Sequence, residues 1–260
     1  MDWLYTLSGF LVGFIVGVTG VGGGSLMTPL LVLAFGVAPA VAVGTDLLYA
    51  ALTKLGGSFA HGRNGTVDWK VVRLLATGSV PAALLSLLVL HALALDTQHL
   101  KTLITGVLSV ALVLTALALL FKPHLQKLGR KPDGALRELQ AHHLTGATIF
   151  TGAVLGVLVT LSSVGAGALG VVLLLFLYPR TDTAKIVGTD IAHAVPLTLI
   201  AGLGHAALGT VDYGLLGSLL LGSLPGIYLG SHLGVKIPER VLRPTLATML
   251  MLIGGRLLLA

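Results

Sequence analysis

The chain has 260 residues, of which 55% are hydrophobic and 10% are charged. Because an ordinary soluble domain is about 25% charged, this composition excludes a soluble domain and indicates a protein that lies in lipid. The absence of cysteine excludes disulfides, thiolate metal sites and cysteine nucleophiles. The net charge of +6 does not indicate a nucleic-acid partner, because the basic residues follow the connections between apolar segments.

The first uncharged stretch runs from Trp3 to Thr45. A membrane helix needs about 20 apolar residues, so this stretch predicts more than one helix. We expect a retained first helix, because no basic residue precedes it and the apolar run exceeds the length of a signal peptide. Glycine, proline and charged residues divide the whole chain into about ten apolar segments. Two of them, 24–36 and 165–178, are too short for an ordinary span.

The first short segment follows a run of glycines, Gly20-Val-Gly-Gly-Gly-Ser25. Successive glycines break a helix, and lipid tolerates such a break only where it lines a cavity enclosed by protein. The helix after the break would present free N–H groups and its positive dipole end to an anion. Close helix packing through small residues is the alternative. The predicted substrate-binding residues of this motif are Gly22, Gly23, Gly24 and Ser25.

The third segment contains Val43-Gly-Thr-Asp46 and, eight residues after Asp46, Lys54. An ionisable residue inside a membrane costs about 2.5–3.5 kcal/mol on insertion scales and is functional by default. Asp46 is predicted to carry a proton, to bind a cation or to accept hydrogen bonds from the broken helix. Lys54 is predicted to neutralise Asp46 or to hold the charge of a substrate, and snorkelling towards the membrane surface is the alternative. Thr45 is a further candidate for substrate binding.

The second half of the chain repeats these motifs in the same order. Val43–Asp46 returns as Val187-Gly-Thr-Asp190, and Gly65-Thr-Val-Asp68 returns as Gly209-Thr-Val-Asp212. Val164-Gly-Ala-Gly167 is a weaker copy of the glycine run. The sequence therefore predicts two related units.

The two units are 1–121 and 142–260, joined by a basic linker at 122–141. Lys and Arg stay on the cytoplasmic side of a membrane, and most of the 16 lie in or beside odd-numbered connections between segments. If each unit crosses the membrane an odd number of times, the second unit has the opposite orientation in the membrane to the first. The predicted fold class is an all-α integral membrane protein with two inverted-topology repeats of about five helical segments each. Short or broken helices occur at the glycine motifs, and both termini lie outside the cytoplasm.

The repeat extends the candidate site to the second unit. The additional predicted substrate-binding residues are Gly165, Ala166, Gly167 and Thr189. Asp190 and His193 join Asp46 as candidates for proton or ion coupling, although a lone histidine is more often simply hydrogen-bonded. We expect Asp190 to lie nearer the surface than Asp46, because charged residues precede it closely. Helix-capping roles are predicted for Thr66 or Asp68 and for Thr210 or Asp212.

Gly20–Ser25 followed by Pro29, then Val43–Asp46 and the Gly209–Asp212 copy, resemble the sulfite exporter TauE/SafE family, also called the 4-toluene sulfonate uptake permease family. The resemblance covers essentially the whole chain. It implies a transporter of the bacterial or archaeal cytoplasmic membrane for sulfur-containing anions such as sulfite, thiosulfate or organosulfonates. Family membership does not specify the substrate or the direction of transport.

These features lead to a secondary transporter as the main hypothesis, driven by a gradient because no ATP-binding motif is present. An anion channel is the alternative, and an intramembrane aspartyl protease using Asp46 and Asp190 is a weaker one. The expected partners are a small anionic substrate and membrane lipid, with a homodimer left open. Neither a nucleic acid, a cofactor nor a metal is expected.

Overall fold

The computed structural model describes residues 3–19, 24–92, 97–130, 134–232 and 239–258. Within these ranges the regular structure is entirely α-helical, without a strand. The helices are α1 (Trp3–Thr19), α2 (Gly24–Phe35), α3 (Pro39–Arg63), α4 (Trp69–Ala92), α5 (Thr97–Arg130), α6 (Gly134–Ser162), α7 (Ala168–Leu177), α8 (Thr183–Ala207), α9 (Tyr213–His232) and α10 (Glu239–Leu258).

Five of the described helices are long and apolar enough to cross a membrane, namely those spanning Trp69–Ala92, Gln98–Lys122, His143–Ser162, Thr183–Ala207 and Tyr213–Gly230. The predicted short segments are helices α2 and α7, with 12 and 10 residues. Helix α3 has 25 residues but carries Asp46 and Lys54 in its interior, which makes it more polar than the five spans. The protein is therefore a multi-pass membrane protein. Helices α5 and α6 continue into the predicted linker as far as Arg130 and back to Gly134.

Helices of the first half pack along helices of the second half at glycine positions. A Cβ added at Gly78 in α4 would overlap the backbone oxygen of Ile149 in α6. A Cβ added at Gly222 in α9 would likewise overlap the backbone oxygen of Thr6 in α1. Such close approach through small residues is the usual way in which membrane helices associate. The α4–α6 and α1–α9 pairs thus use the same type of contact at corresponding positions.

Replacing Gly78 with alanine is expected to lower the thermal stability of the purified protein. The new methyl group would push α4 away from the backbone of α6, and overpacking of this kind costs about 1–3 kcal/mol. Gly106→Ala is the matched control, because a Cβ at Gly106 in α5 meets nothing within 4 Å. Melting midpoints in detergent measure both effects. Equal midpoints for the two variants would contradict the close α4–α6 contact.

Each copy of the Gly-Thr-Asp motif contacts the half of the chain that contains the other copy. The Thr45 hydroxyl accepts a hydrogen bond from the backbone N–H of Asp212 (3.0 Å), and the Thr189 hydroxyl accepts one from the N–H of Asp68 (2.9 Å). Gly44 lies directly against the backbone of Thr210. Gly188 makes the same approach to Thr66. We call these two reciprocal contacts the exchange contacts.

The repeated turns that receive the exchange contacts are built alike. His61 Nδ1 shares a hydrogen bond with the Thr66 hydroxyl, and His205 Nδ1 shares one with the Thr210 hydroxyl, both at 2.8 Å.

The aspartates that follow these turns confirm the predicted helix caps. Asp68 accepts from the backbone N–H groups of Lys70 and Val71, and Asp212 accepts from that of Leu215.

Candidate functional site

The chain between α6 and α7 is a non-helical break whose conformation requires glycine. Gly165 has φ 123° and Gly167 has φ 137° with ψ −100°, and Ser163 also has a positive φ of 59°. These values lie in a region that residues with a Cβ rarely adopt. The residues of the break are buried. Because unpaired backbone groups are costly in lipid, such a segment persists only inside the protein.

The corresponding break in the first half is only partly described. Gly22 and Gly23 lie outside the described residues. Gly24 is the first residue of α2, and Ser25 follows it in the helix, with its side chain also outside the described part. The predicted site residues that can be placed at a break are therefore Gly165, Ala166 and Gly167.

Lys54 connects α3 to the break in the second half. Its side chain is only 7% exposed, and its Nζ donates a hydrogen bond of 2.6 Å to the backbone oxygen of Ala166. The amine therefore points into the protein and does not snorkel to a membrane surface. A buried ammonium group needs compensating partners, and the nearby acidic groups are the buried carboxyls of Asp190 and Asp46.

Asp46 precedes Lys54 by about two turns of α3 and is fully buried. One carboxylate oxygen accepts a hydrogen bond of 2.5 Å from the Thr28 hydroxyl of α2. The other oxygen has no hydrogen-bond partner among the described residues. Thr28 was not a candidate in the sequence, although a threonine in a short uncharged segment next to the glycine run was a usable signal. The Thr28–Asp46 bond attaches the short helix α2 to α3.

Asp190 is also fully buried, so the expectation that it lies nearer the surface was wrong. The charged residues that precede it lie in the α7–α8 connection and at the start of α8, whereas Asp190 is turned towards α7. One of its carboxylate oxygens lies directly against Gly170, where a Cβ would overlap it. Neither oxygen accepts a hydrogen bond from the described residues. We refer to Asp46, Lys54 and Asp190 as the charge cluster.

His193 lies one helical turn after Asp190 and is 1% exposed. Its Nε2 shares a hydrogen bond of 2.8 Å with the Ser79 hydroxyl of α4. Its Nδ1 has no partner among the described residues. The ring therefore borders the charge cluster and is tied to a different helix.

Thr45 and Thr189 belong to the exchange contacts, because their hydroxyl oxygens accept backbone hydrogen bonds from the other half. An anion would accept from the hydroxyl proton, which Thr189 already donates to the backbone oxygen of Lys185 (2.6 Å). The structure thus brings the charge cluster together with the second break and places the two threonines at the contacts between halves.

Residues 5–257 match the profile of the sulfite exporter TauE/SafE family. The match extends over nearly the whole chain. The chain belongs to this family. Probable membrane transporter protein YjnA of Bacillus subtilis is 40% identical over 252 residues, which cover 97% of this chain and 98% of that protein. Probable membrane transporter protein YdhB of the same organism is 28% identical over 252 residues, covering 94% and 97%.

A more distant relative is probable membrane transporter protein MJ0441 of Methanocaldococcus jannaschii, 27% identical over 97% of this chain and 92% of its own. No solved structure matches the chain. The family and the names of the relatives indicate a membrane transporter rather than an enzyme.

Two cavities of this TauE/SafE protein lie near the start of α3. One has a volume of about 730 Å³ and is lined by residues that include Pro39, Ala40 and Lys101. The other, of about 330 Å³, is lined by residues that include Ala40 and His205. Neither contains a residue of the charge cluster. Ala40 precedes Asp46 by six residues, or about 9 Å at helical rise, so both cavities open at the α3 end nearest to Asp46.

Proposed function

We propose that the protein is a secondary transporter that moves a small sulfur-containing anion, such as sulfite, thiosulfate or an organosulfonate, across the cytoplasmic membrane. The observation that carries the proposal is the buried Lys54, whose amine reaches the helix break of the opposite half. Broken helices near the middle of the membrane are where transporters commonly bind their substrates. The family membership supports the choice of sulfur-containing anions.

Lys54 would supply the positive charge of the substrate site. Backbone N–H groups at Gly22–Ser25 and Gly165–Gly167 would bind substrate oxygens, because N–H groups at a helix start attract anions. The hydrogen bond from Lys54 to the Ala166 oxygen would exchange for a bond to the anion. Asp46, Asp190 and His193 would couple transport to protons or other ions.

The proposed architecture is an inverted repeat with both termini outside the cytoplasm and the 122–141 linker inside. The exchange contacts support it, because in a two-fold arrangement each partner makes the same contact with the other. The basic residues around the odd connections support the orientation. An inverted repeat provides two related halves that can rock about a central site.

Uptake into proteoliposomes of purified protein tests the function. We expect saturable, protein-dependent uptake of radiolabelled sulfite or thiosulfate, competed by unlabelled toluenesulfonate, with protein-free liposomes as the control. A carrier also gives counterflow, in which unlabelled anion inside the vesicle accelerates entry of labelled anion. Non-saturating flux without counterflow would favour a channel. Absence of flux for every tested sulfur anion and carboxylate, with folded protein, would overturn the proposal.

A further inference from the structure

The charge cluster contains two carboxylates and one ammonium group, all of which are buried inside the protein. If both carboxylates were ionised, the cluster would carry a net negative charge and would repel an anion. One bound proton makes the cluster neutral, and a second makes it positive. Anion binding beside Lys54 is therefore tied to protonation of a carboxylate, because like charges at close range in a medium of low dielectric constant repel strongly.

The two carboxylates differ in their hydrogen bonds. A hydroxyl that donates to a carboxylate stabilises its charge, and Asp46 receives such a bond from Thr28. Asp190 receives none from the described residues at either oxygen, and it lies against the Cα of Gly170. A buried carboxylate without hydrogen bonds is costly in its charged form. This difference singles out Asp190 as the carboxylate that holds the proton.

Other ionisable groups around Asp190 do not replace it. Helix α7 contains no ionisable residue, and His61 of α3 is bonded to Thr66. His193 is bonded to Ser79, and a second positive charge there would be repelled by Lys54. The remaining described ionisable side chains of α4 and α6 are exposed: Lys70, Arg73, His91 and His143.

We infer that Asp190 is the proton-carrying group of the transporter and that one proton accompanies each transported anion. The proton passes from water at one membrane face to an Asp190 oxygen, forming an O–H bond. The anion then binds beside Lys54 in a cluster that the proton has made neutral. Loss of the proton to water at the opposite face restores the carboxylate and expels the anion. The inference rests on the proposed function and specifies its coupling ion.

Labelling of the wild-type protein tests the inference without relying on a variant. Dicyclohexylcarbodiimide adds to protonated carboxylic acids in apolar sites and leaves a stable acylurea, which peptide mass spectrometry locates. We expect labelling of Asp190 at neutral pH that declines as the pH rises, with at least about tenfold less at Asp46. Labelling of Asp46 in preference to Asp190, or of neither, would overturn the inference.

Transport by Asp190→Asn supplies an independent readout, with thiosulfate as the probe. A pH gradient should drive accumulation in wild-type proteoliposomes, and the ratio of gradient-driven uptake to counterflow should fall at least about tenfold in the variant. Asp182→Asn is the control, because Asp182 is an exposed residue at the start of the same helix. Wild-type counterflow without any response to pH would overturn the proton inference and leave the transporter proposal standing. An unchanged ratio in Asp190→Asn would overturn Asp190 as the carrier.

Discussion

Lys54→Met is expected to reduce anion uptake at least about thirtyfold, because truncating one partner of a buried charge interaction costs about 2–5 kcal/mol. Among the described residues, Lys54 is the only buried lysine, and its loss leaves Asp46 and Asp190 without a counter-charge. Radiotracer uptake in proteoliposomes measures the loss. The same variant should also be less stable by about 3 kcal/mol, since an uncompensated charge remains buried.

Lys70→Met is the matched control for Lys54→Met. Lys70 is an exposed lysine near the start of α4, and its loss should leave uptake within about twofold because exposed charges contribute little. Combining Lys54→Met with Asp190→Asn should recover part of the lost stability without recovering transport. Uptake by Lys54→Met at the wild-type rate would refute a role for Lys54 in anion binding.

Gly167→Ala is expected to lower both stability and uptake. Gly167 has φ 137° and ψ −100°, and a residue held outside its allowed backbone region costs about 1–3 kcal/mol. Each kcal/mol lowers the melting midpoint by about 2–4 °C for a chain of this size. Relaxation of the break would also move the Ala166 oxygen away from Lys54, so uptake should fall with the midpoint.

Gly146→Ala separates the effect of backbone strain from the general effect of adding a methyl group. Gly146 lies in α6, the helix that ends where the break begins, and a Cβ at Gly146 meets nothing within 4 Å. Its midpoint should stay the same or rise, because alanine is the better helix former. A Gly167→Ala midpoint equal to that of Gly146→Ala would show that the break does not need its glycine.

The sequence predicted the helical membrane fold and the identity of the short segments because both depend on local properties. Apolar runs set the spans, and glycine runs set the interruptions. The repeated tetrapeptides also pointed to the turns at Gly65–Asp68 and Gly209–Asp212, where the capping aspartates were confirmed.

The tertiary partners within the site could not be predicted. Thr28 and Asp46 come from different helices, and Lys54 meets Ala166 from the opposite half of the chain. Nothing in a one-dimensional pattern specifies such pairs. The depth of Asp190 was misjudged for a related reason. Asp190 is close in sequence to Arg180 and Lys185, but this closeness does not determine its burial. Asp190 is buried because its side chain is turned towards α7.

The exchange contacts also bear on how the protein is made. Each half supplies the hydroxyl that satisfies a backbone N–H in the other, and the glycine face of α1 is covered by α9. A half-length chain emerging from the ribosome would therefore lack the partners for its own turns and for its first helix. Insertion of the first half is complete only when the second has followed, so we expect the two halves to be stable together and short-lived when expressed apart.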